Sequence, residues 1–359
     1  MMNRIVLLSM VCLLGIKSGF SQSQAAFDSV LKKHPGFNGV VLVADQNKIV
    51  FEKAVGFAEY EKQKALQKND IFELASISKQ FTAMIVLMLK EKKLLDLQDP
   101  VSKYVKIPYP NIKIVHLLTH TSGLPDYQSI MDQHWDKSKV AGNKDIIEYL
   151  NKFAPPSQFE PGSKYEYSNT GYVILASIAE KAAGKDFIWM CRNWIFKPLG
   201  MTSTDIRTLQ EKAALKNAAI GHIYVEERKR FIRADSFPSS NYTIWLGNRK
   251  GPGRISSSAE DLFKWDQALY TNKLISKELM EEAFRSFRLN DGSFSHYGYG
   301  WELPDNTYLG RTVTHTGDNP GYHNQITRNI GRHKTIIILS NNAYRDTQGL
   351  TDDFAKLVY

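Results

Sequence analysis

β-rich sequence stands at both ends of this chain while a helical pattern fills its middle, and that arrangement restricts the folds open to it. Near the N-terminus, residues 37–44 and 48–57 are β-rich runs joined by Asp45-Gln46-Asn47, which reads as a hairpin. At the far end, residues 298–303, 311–315, 322–328 and 334–340 are strand-like and separated by Gly, Pro and Asn turns, and a last helix is expected over residues 347–358. Between them, residues 96–220 are mostly helical in pattern, including residues 172–183 closed by Gly184. Strands made by both ends of the chain must therefore meet. The expected class is α+β: one antiparallel sheet flanked by helices, built from residues 22–95 and 221–359, with a mostly helical domain of residues 96–220 inserted on one side. At 359 residues and 43% hydrophobic content, the chain can bury the core such a fold needs.

The N-terminus has the charged, apolar and small-residue parts of a secretory leader: Arg4, the apolar stretch of residues 5–16, then Ser18-Gly19-Phe20-Ser21. Residues 1–21 are read as a signal peptide cleaved near Ser21, which makes the protein secreted or periplasmic. The alternative is an uncleaved anchor, although the apolar stretch is short of the roughly 20 residues that span a bilayer. Cleavage removes Arg4 and Lys17, lowering the formal charge of +9 by two and leaving the mature chain basic. Its positive residues are spread along the chain, and the dense group Arg228-Lys229-Arg230 with Arg233 follows Glu226-Glu227 like a solvated hairpin tip, so nucleic acid is not an expected partner. Cys12 leaves with the leader, so Cys191 has no partner for an intramolecular disulfide and reads as a buried, inert thiol. The histidines lack paired-carboxylate spacing, and no metal site or cofactor is expected.

Three short segments carry chemistry: Ser76-Ile77-Ser78-Lys79, Tyr167-Ser168-Asn169 and His315-Thr316-Gly317. In the first, a hydroxyl stands one helical turn before an amine, so both side chains can share a face and exchange a proton. Spacing alone does not select it, because Ser29-Val30-Leu31-Lys32 has the same form. Context does. Ser76 opens the strongly apolar run of residues 79–90, which reads as a buried helix, whereas Ser29 belongs to an ordinary amphipathic helix. At a helix start the backbone N–H groups are unpaired and can stabilise a negatively charged oxygen. Singly, Ser76 is a helix cap, Tyr167 a core aromatic and His315 a strand histidine; together, in this order, they read as a serine acyl-transfer site.

These segments resemble the serine β-lactamase and penicillin-binding-protein superfamily, in particular its class C-like group of D-alanyl-D-alanine carboxypeptidases, β-lactamases and related esterases and amidases. The resemblance extends through residues 117–124, 161–172 and 254–262 and covers nearly the whole mature chain. It implies the same sheet-plus-helical-domain architecture. It further implies that Ser76 is the nucleophile, Lys79 its proton partner, and Tyr167 a second proton carrier between nucleophile and leaving group. Asn169 would hold the substrate's amide, with His315, Thr316 and Gly317 also binding substrate and the backbone N–H groups of Ser76 and Asp318 forming the oxyanion hole. Which of Lys79 and Tyr167 is the acylation base stays open. His315 stands where most β-lactamases of this kind have Lys, and a neutral imidazole holds a carboxylate less strongly, which favours a peptidase, esterase or amidase. Asp318 would oppose a developing oxyanion unless it is paired or points away. The expected protein is an exported serine hydrolase acting through an acyl-enzyme on D-alanyl peptides, including those of peptidoglycan origin, or on small esters and amides. A class C-type β-lactamase and a penicillin- or cell-wall-fragment-binding protein without turnover are the alternatives.

Overall fold

A computed structural model describes residues 24–305 and 310–358, so the expected leader lies outside the described residues. After helix α1 (residues 24–33), strand β1 (Gly39–Asp45) reads Gly-Val-Val-Leu-Val-Ala-Asp. Successive side chains of a strand point to opposite faces, so this unbroken apolar run needs cover on both. Val41 and Val43 join Phe27 of α1 and Phe354 of the C-terminal helix in one cluster. Val40, Leu42 and Ala44 join Phe81, Leu262 and Trp265 in the other, larger one.

The sheet is closed by both ends of the chain, as the sequence requires. β1 pairs antiparallel with β2 (Lys48–Val55), with a bulge between Val43 and Ala44. The strands β3 (Thr312–Asn319), β4 (Tyr322–Asn329) and β5 (Lys334–Ser340) form a meander, and β5 lies against β1 with Gly39 opposite Ser340. The five-stranded order is β3-β4-β5-β1-β2, which leaves β3 on an edge. Residues 298–303, expected as a strand, make only isolated bridges, Tyr297 with Glu302 and Glu302 with Thr314. The reason is a tight turn: Gly300 adopts φ +80°, and the Gly298 amide donates to the Trp301 carbonyl at 2.8 Å. A Cβ at Gly300 would crowd the backbone of Lys79 and Gln80, so the turn brings this segment against the helix that follows Ser76.

That helix, α2 (Ser78–Glu91), is buried from Ser78 to Leu89. It lies between the sheet and α3 (Asn169–Ala183), which ends where Gly184 takes the left-handed conformation. On the same side of the sheet, α4 (Ala259–Ala268) sends Asp266 into a fully buried ion pair with Arg328 of β4, and Thr335 of β5 donates to the same carboxylate at 2.8 Å. The final helix, α5 (Thr347–Val358), covers the opposite face. Short helices fill much of the chain between residues 114 and 213, but Asp205–Ile206 returns to pair with Ile255–Ser257, which also pairs with Phe72–Glu73. The basic residues 228–230 sit at the exposed turn and start of the hairpin formed by His222–Val225 and Arg230–Arg233. Cys191 is buried, and burial pushes its thiol up.

Candidate active site

Ser76 lies in a short 3-10 turn (Ala75–Ile77) that runs directly into α2. The turn is held from several directions. The Leu74 amide donates to the Ile255 carbonyl at 2.9 Å, Asn324 of β4 donates to the Glu73 carbonyl at 2.7 Å, and Ser78 Oγ accepts from the Ile255 amide at 3.2 Å. Ala75 takes φ +49°, a left-handed conformation that costs a residue with a Cβ about 1–3 kcal/mol. Gly317 of β3 lies so close to this turn that a Cβ there would overlap the Leu74 carbonyl oxygen. Glycine is needed for that approach of edge strand to nucleophile.

Lys79 is fully buried and its Nζ contacts three neutral oxygens: Ser76 Oγ at 3.0 Å, Asn169 Oδ1 at 2.8 Å and the Pro252 carbonyl at 3.0 Å. Burial, reinforced by the positive charge of Arg249, lowers its pKa well below the ordinary amine value. In the neutral amine, two N–H bonds can serve Asn169 and Pro252 while the lone pair receives the Ser76 proton. Nζ also lies 4.7 Å from the centre of the Tyr167 ring.

Tyr167 precedes α3, whose N-cap Ser168 accepts from the Gly171 amide at 3.2 Å. Burial pushes the phenol above its usual value, and hydrogen bonding with Ser76 opposes the push. The residue keeps 39% of its surface, so water limits that shift. His120 clamps this segment: its Nδ1 accepts from the Ser168 amide at 3.0 Å, its carbonyl accepts from the Glu166 amide at 2.8 Å, and its ring lies 4.3 Å from that of Tyr167. Accepting at Nδ1 places the imidazole proton on Nε2. His116, four residues earlier, does not converge with it; its Nδ1 accepts from the Lys113 amide and its ring meets Phe287.

His315 and Gly317 lie on the face of β3 toward this region, with Thr316 between them, but His315 is itself buried. Its Nε2 is 2.8 Å from the Tyr297 hydroxyl and its Nδ1 is 2.6 Å from the Thr316 carbonyl, so both ring nitrogens are engaged by the protein rather than presented to a ligand. Burial, with the charge of Lys79, lowers the imidazole to about 3. Asp318 is exposed, and its carboxylate pairs with Arg345 and lies 3.5 Å from His323 Nδ1. Burial alone would raise its pKa; His323 and Arg345 outweigh that and hold it below the usual range.

A small cleft of about 80 Å³ opens beside Ser76 and Asn169, lined also by Gln128, Tyr242, Arg249 and Asn319. Gln128 comes from the short helix Tyr127–His134. Arg249 and Pro252 were missed, although Gly247, Gly251 and Gly253 around them mark a loop built for close approach. Thr82 of α2 donates to the Gly251 carbonyl at 2.7 Å, while Lys250 bonds Glu180 of α3 and Asp186, fixing the loop over Lys79. Among the described residues, no three His, Cys, Asp or Glu side chains are grouped to hold a metal ion.

Sheet, inserted helices and the Ser76–Lys79 pair define a serine hydrolase of the β-lactamase and penicillin-binding-protein type. The family model described as Beta-lactamase matches residues 27–359, and the chain belongs to that family. Penicillin-binding protein 4* of Bacillus subtilis (strain 168) is 40% identical over 321 residues, which are 89% of this chain and 71% of that protein. A D-aminopeptidase of Gluconobacter oxydans (strain 621H) is 22% identical over 89% of this chain and 58% of its own length. Among solved structures, a penicillin binding protein from Bacillus halodurans superposes with TM-score 0.78 at 23% identity, covering 91% of this chain and 98% of the other. D-amino acid amidase from Ochrobactrum anthropi SV3 gives TM-score 0.73 at 21% identity, covering 94% and 97%. Both structures share the fold.

Proposed function

We propose that the protein is an exported serine hydrolase that forms an acyl-enzyme on Ser76 and cleaves the amide bond of D-alanyl peptides or the acyl bond of related small amides and esters. The observation that carries this reading is the buried Lys79 amine within 3.0 Å of Ser76 Oγ and 2.8 Å of Asn169 Oδ1. With its pKa depressed, the amine takes the Ser76 proton as Oγ bonds to the substrate carbonyl carbon. A raised Tyr167 phenol is a poor resting base but a suitable donor, so it passes a proton to the leaving nitrogen as the C–N bond breaks. The N–H groups of Ser76 and Asp318 stabilise the intermediate's oxyanion, and pairing of the Asp318 side chain with Arg345 moderates its opposition to that charge. Water then attacks the ester, with the proton transfers reversed.

Relatives named penicillin-binding protein, D-aminopeptidase and D-amino acid amidase support an amide of D configuration as the scissile group. The leader-like residues 1–21 support export; among the described residues no helix is long and apolar enough to cross a membrane. The test is release of D-alanine from a D-alanyl-D-alanine peptide by wild type and Ser76→Ala. Release that requires Ser76 supports the peptidase reading. Cleavage confined to a p-nitrophenyl ester moves the activity to esterase, and rapid turnover of penicillin moves it to β-lactamase.

A further inference from the structure

Beside the catalytic cleft lies a second cavity of about 230 Å³, and Arg249 and Asn319 line both spaces. Its charged lining is Lys212, Arg233, Arg249 and Arg254 against Glu73 and Asp235. Both carboxylates are already matched, Glu73 by Lys212 and Asp235 by Arg233. Among the described residues, neither of the other two arginines forms an ion pair of its own. Arg254 is only 8% exposed; its Nη2 donates to the Arg207 carbonyl, while Nε and Nη1 are buried without a hydrogen-bond partner among the described residues. Arg249 donates through Nη1 to the Tyr127 hydroxyl at 2.6 Å, and its buried Nε is likewise unpartnered.

Four cationic side chains against two carboxylates leave this lining with an excess of positive charge, and guanidinium groups buried without an anionic partner are costly. Burial lowers the Arg254 pKa; Glu73 offsets part of that, and Arg249 adds a smaller push downward. An anion in the cavity offsets that excess charge. Guanidinium forks match the two oxygens of a carboxylate, and the apolar side chains of Leu209 and Ala213 in the same lining suit a methylene stem that carries it.

We propose that this cavity is a carboxylate subsite for the acyl portion of the substrate, receiving an acidic side chain or free carboxylate borne on the segment that precedes the scissile bond. The proposal rests on the acyl-enzyme reading above. It places the carboxylate on the acyl side because Asn169, assigned to the substrate amide, lines the adjoining cleft, whereas Tyr167, assigned to the leaving group, does not. The enzyme thereby selects acidic acyl groups over neutral ones of equal length.

The test compares two pairs of p-nitrophenyl esters: the glutarate half-ester with the pentanoate, and the adipate half-ester with the hexanoate. Wild type is expected to favour the half-ester in at least one pair by roughly 10- to 100-fold in kcat/KM, the range for one buried charge-assisted contact. Arg254→Gln is expected to erase that preference while leaving turnover of the neutral esters within about twofold, and Arg254→Lys to restore part of it. Should Arg254→Gln fail to fold, free glutarate decides the matter in wild type, where competition against the half-ester but not against the neutral ester supports the subsite. Equal use of acidic and neutral esters by wild type, with Ser76 still acylated, overturns the subsite and leaves the hydrolase reading standing. A preference that survives Arg254→Gln overturns its assignment to this cavity. Absence of any Ser76-dependent ester cleavage overturns the acyl-enzyme reading and the subsite with it.

Discussion

Lys79 is buried among neutral oxygens, and the cost of charging it there organises the chemistry around Ser76. Because its folded-state pKa is depressed, the folded protein binds fewer protons than the unfolded chain between that value and the ordinary amine value, so stability rises with pH across that window. Lys79→Met is expected to remove this rise and to hold or raise Tm, while lowering Ser76 acylation by roughly 10³-fold or more, measured by thermal melts beside stopped-flow acylation. His315 obeys the same arithmetic in a more acidic window. Its folded pKa of about 3 means that its neutral form supports the fold fully above the ordinary imidazole value and loses that support as pH falls toward 3. Between pH 7 and 5 this amounts to about 2 kcal/mol, and His315→Gln is expected to shrink the acid-side loss accordingly in urea titrations at the two pH values. The acylation profile of wild type is expected to show no step from His315 between pH 5 and 8, so its rise with pH reports Lys79.

At the scale of elements, the approach of β3 to the turn before α2 decides whether the site is assembled. Gly317→Ala would drive a methyl group into the Leu74 carbonyl, and acylation is expected to fall roughly 100-fold even where the fold survives, because the oxyanion donors separate. Circular dichroism and acylation rates on one preparation check this. The α4–β4 contact is structural by contrast: Asp266→Ala strands Arg328 in the core and is expected to cost about 3–5 kcal/mol in chemical denaturation. Elements with a strong local signal were legible in the sequence. The run after Ser76 gave α2, and Gly184 marked the end of α3. Residues 298–303 misled because alternation there belongs to a glycine turn packed on α2, a tertiary cause that spacing does not encode.

Across the whole molecule, strand pattern at both ends of the chain was enough to anticipate a sheet that both ends complete, since β1 could be covered only by helices on two faces. The motif residues Ser76, Lys79 and Asn169 could be found from order and context, and the fold brings their side chains within hydrogen-bond reach. Arg249, Arg254 and His120 could not be ranked that way. Their importance comes from burial and from partners more than 40 residues away, such as Tyr127 for Arg249 and Ser168 for His120. The same distances explain why chemistry was easier to read than substrate choice: Ser76 and Lys79 stand one helical turn apart, whereas the proposed subsite is assembled from separate loops. The central claim is a covalent intermediate on Ser76. Intact-mass spectrometry of wild type and Ser76→Ala, each mixed with a fluorescent penicillin and a p-nitrophenyl ester and followed over time, tests it most directly. The account predicts an acyl adduct on wild type that is absent from Ser76→Ala; an unmodified wild-type mass with every reagent, or an adduct that persists in Ser76→Ala, would contradict it.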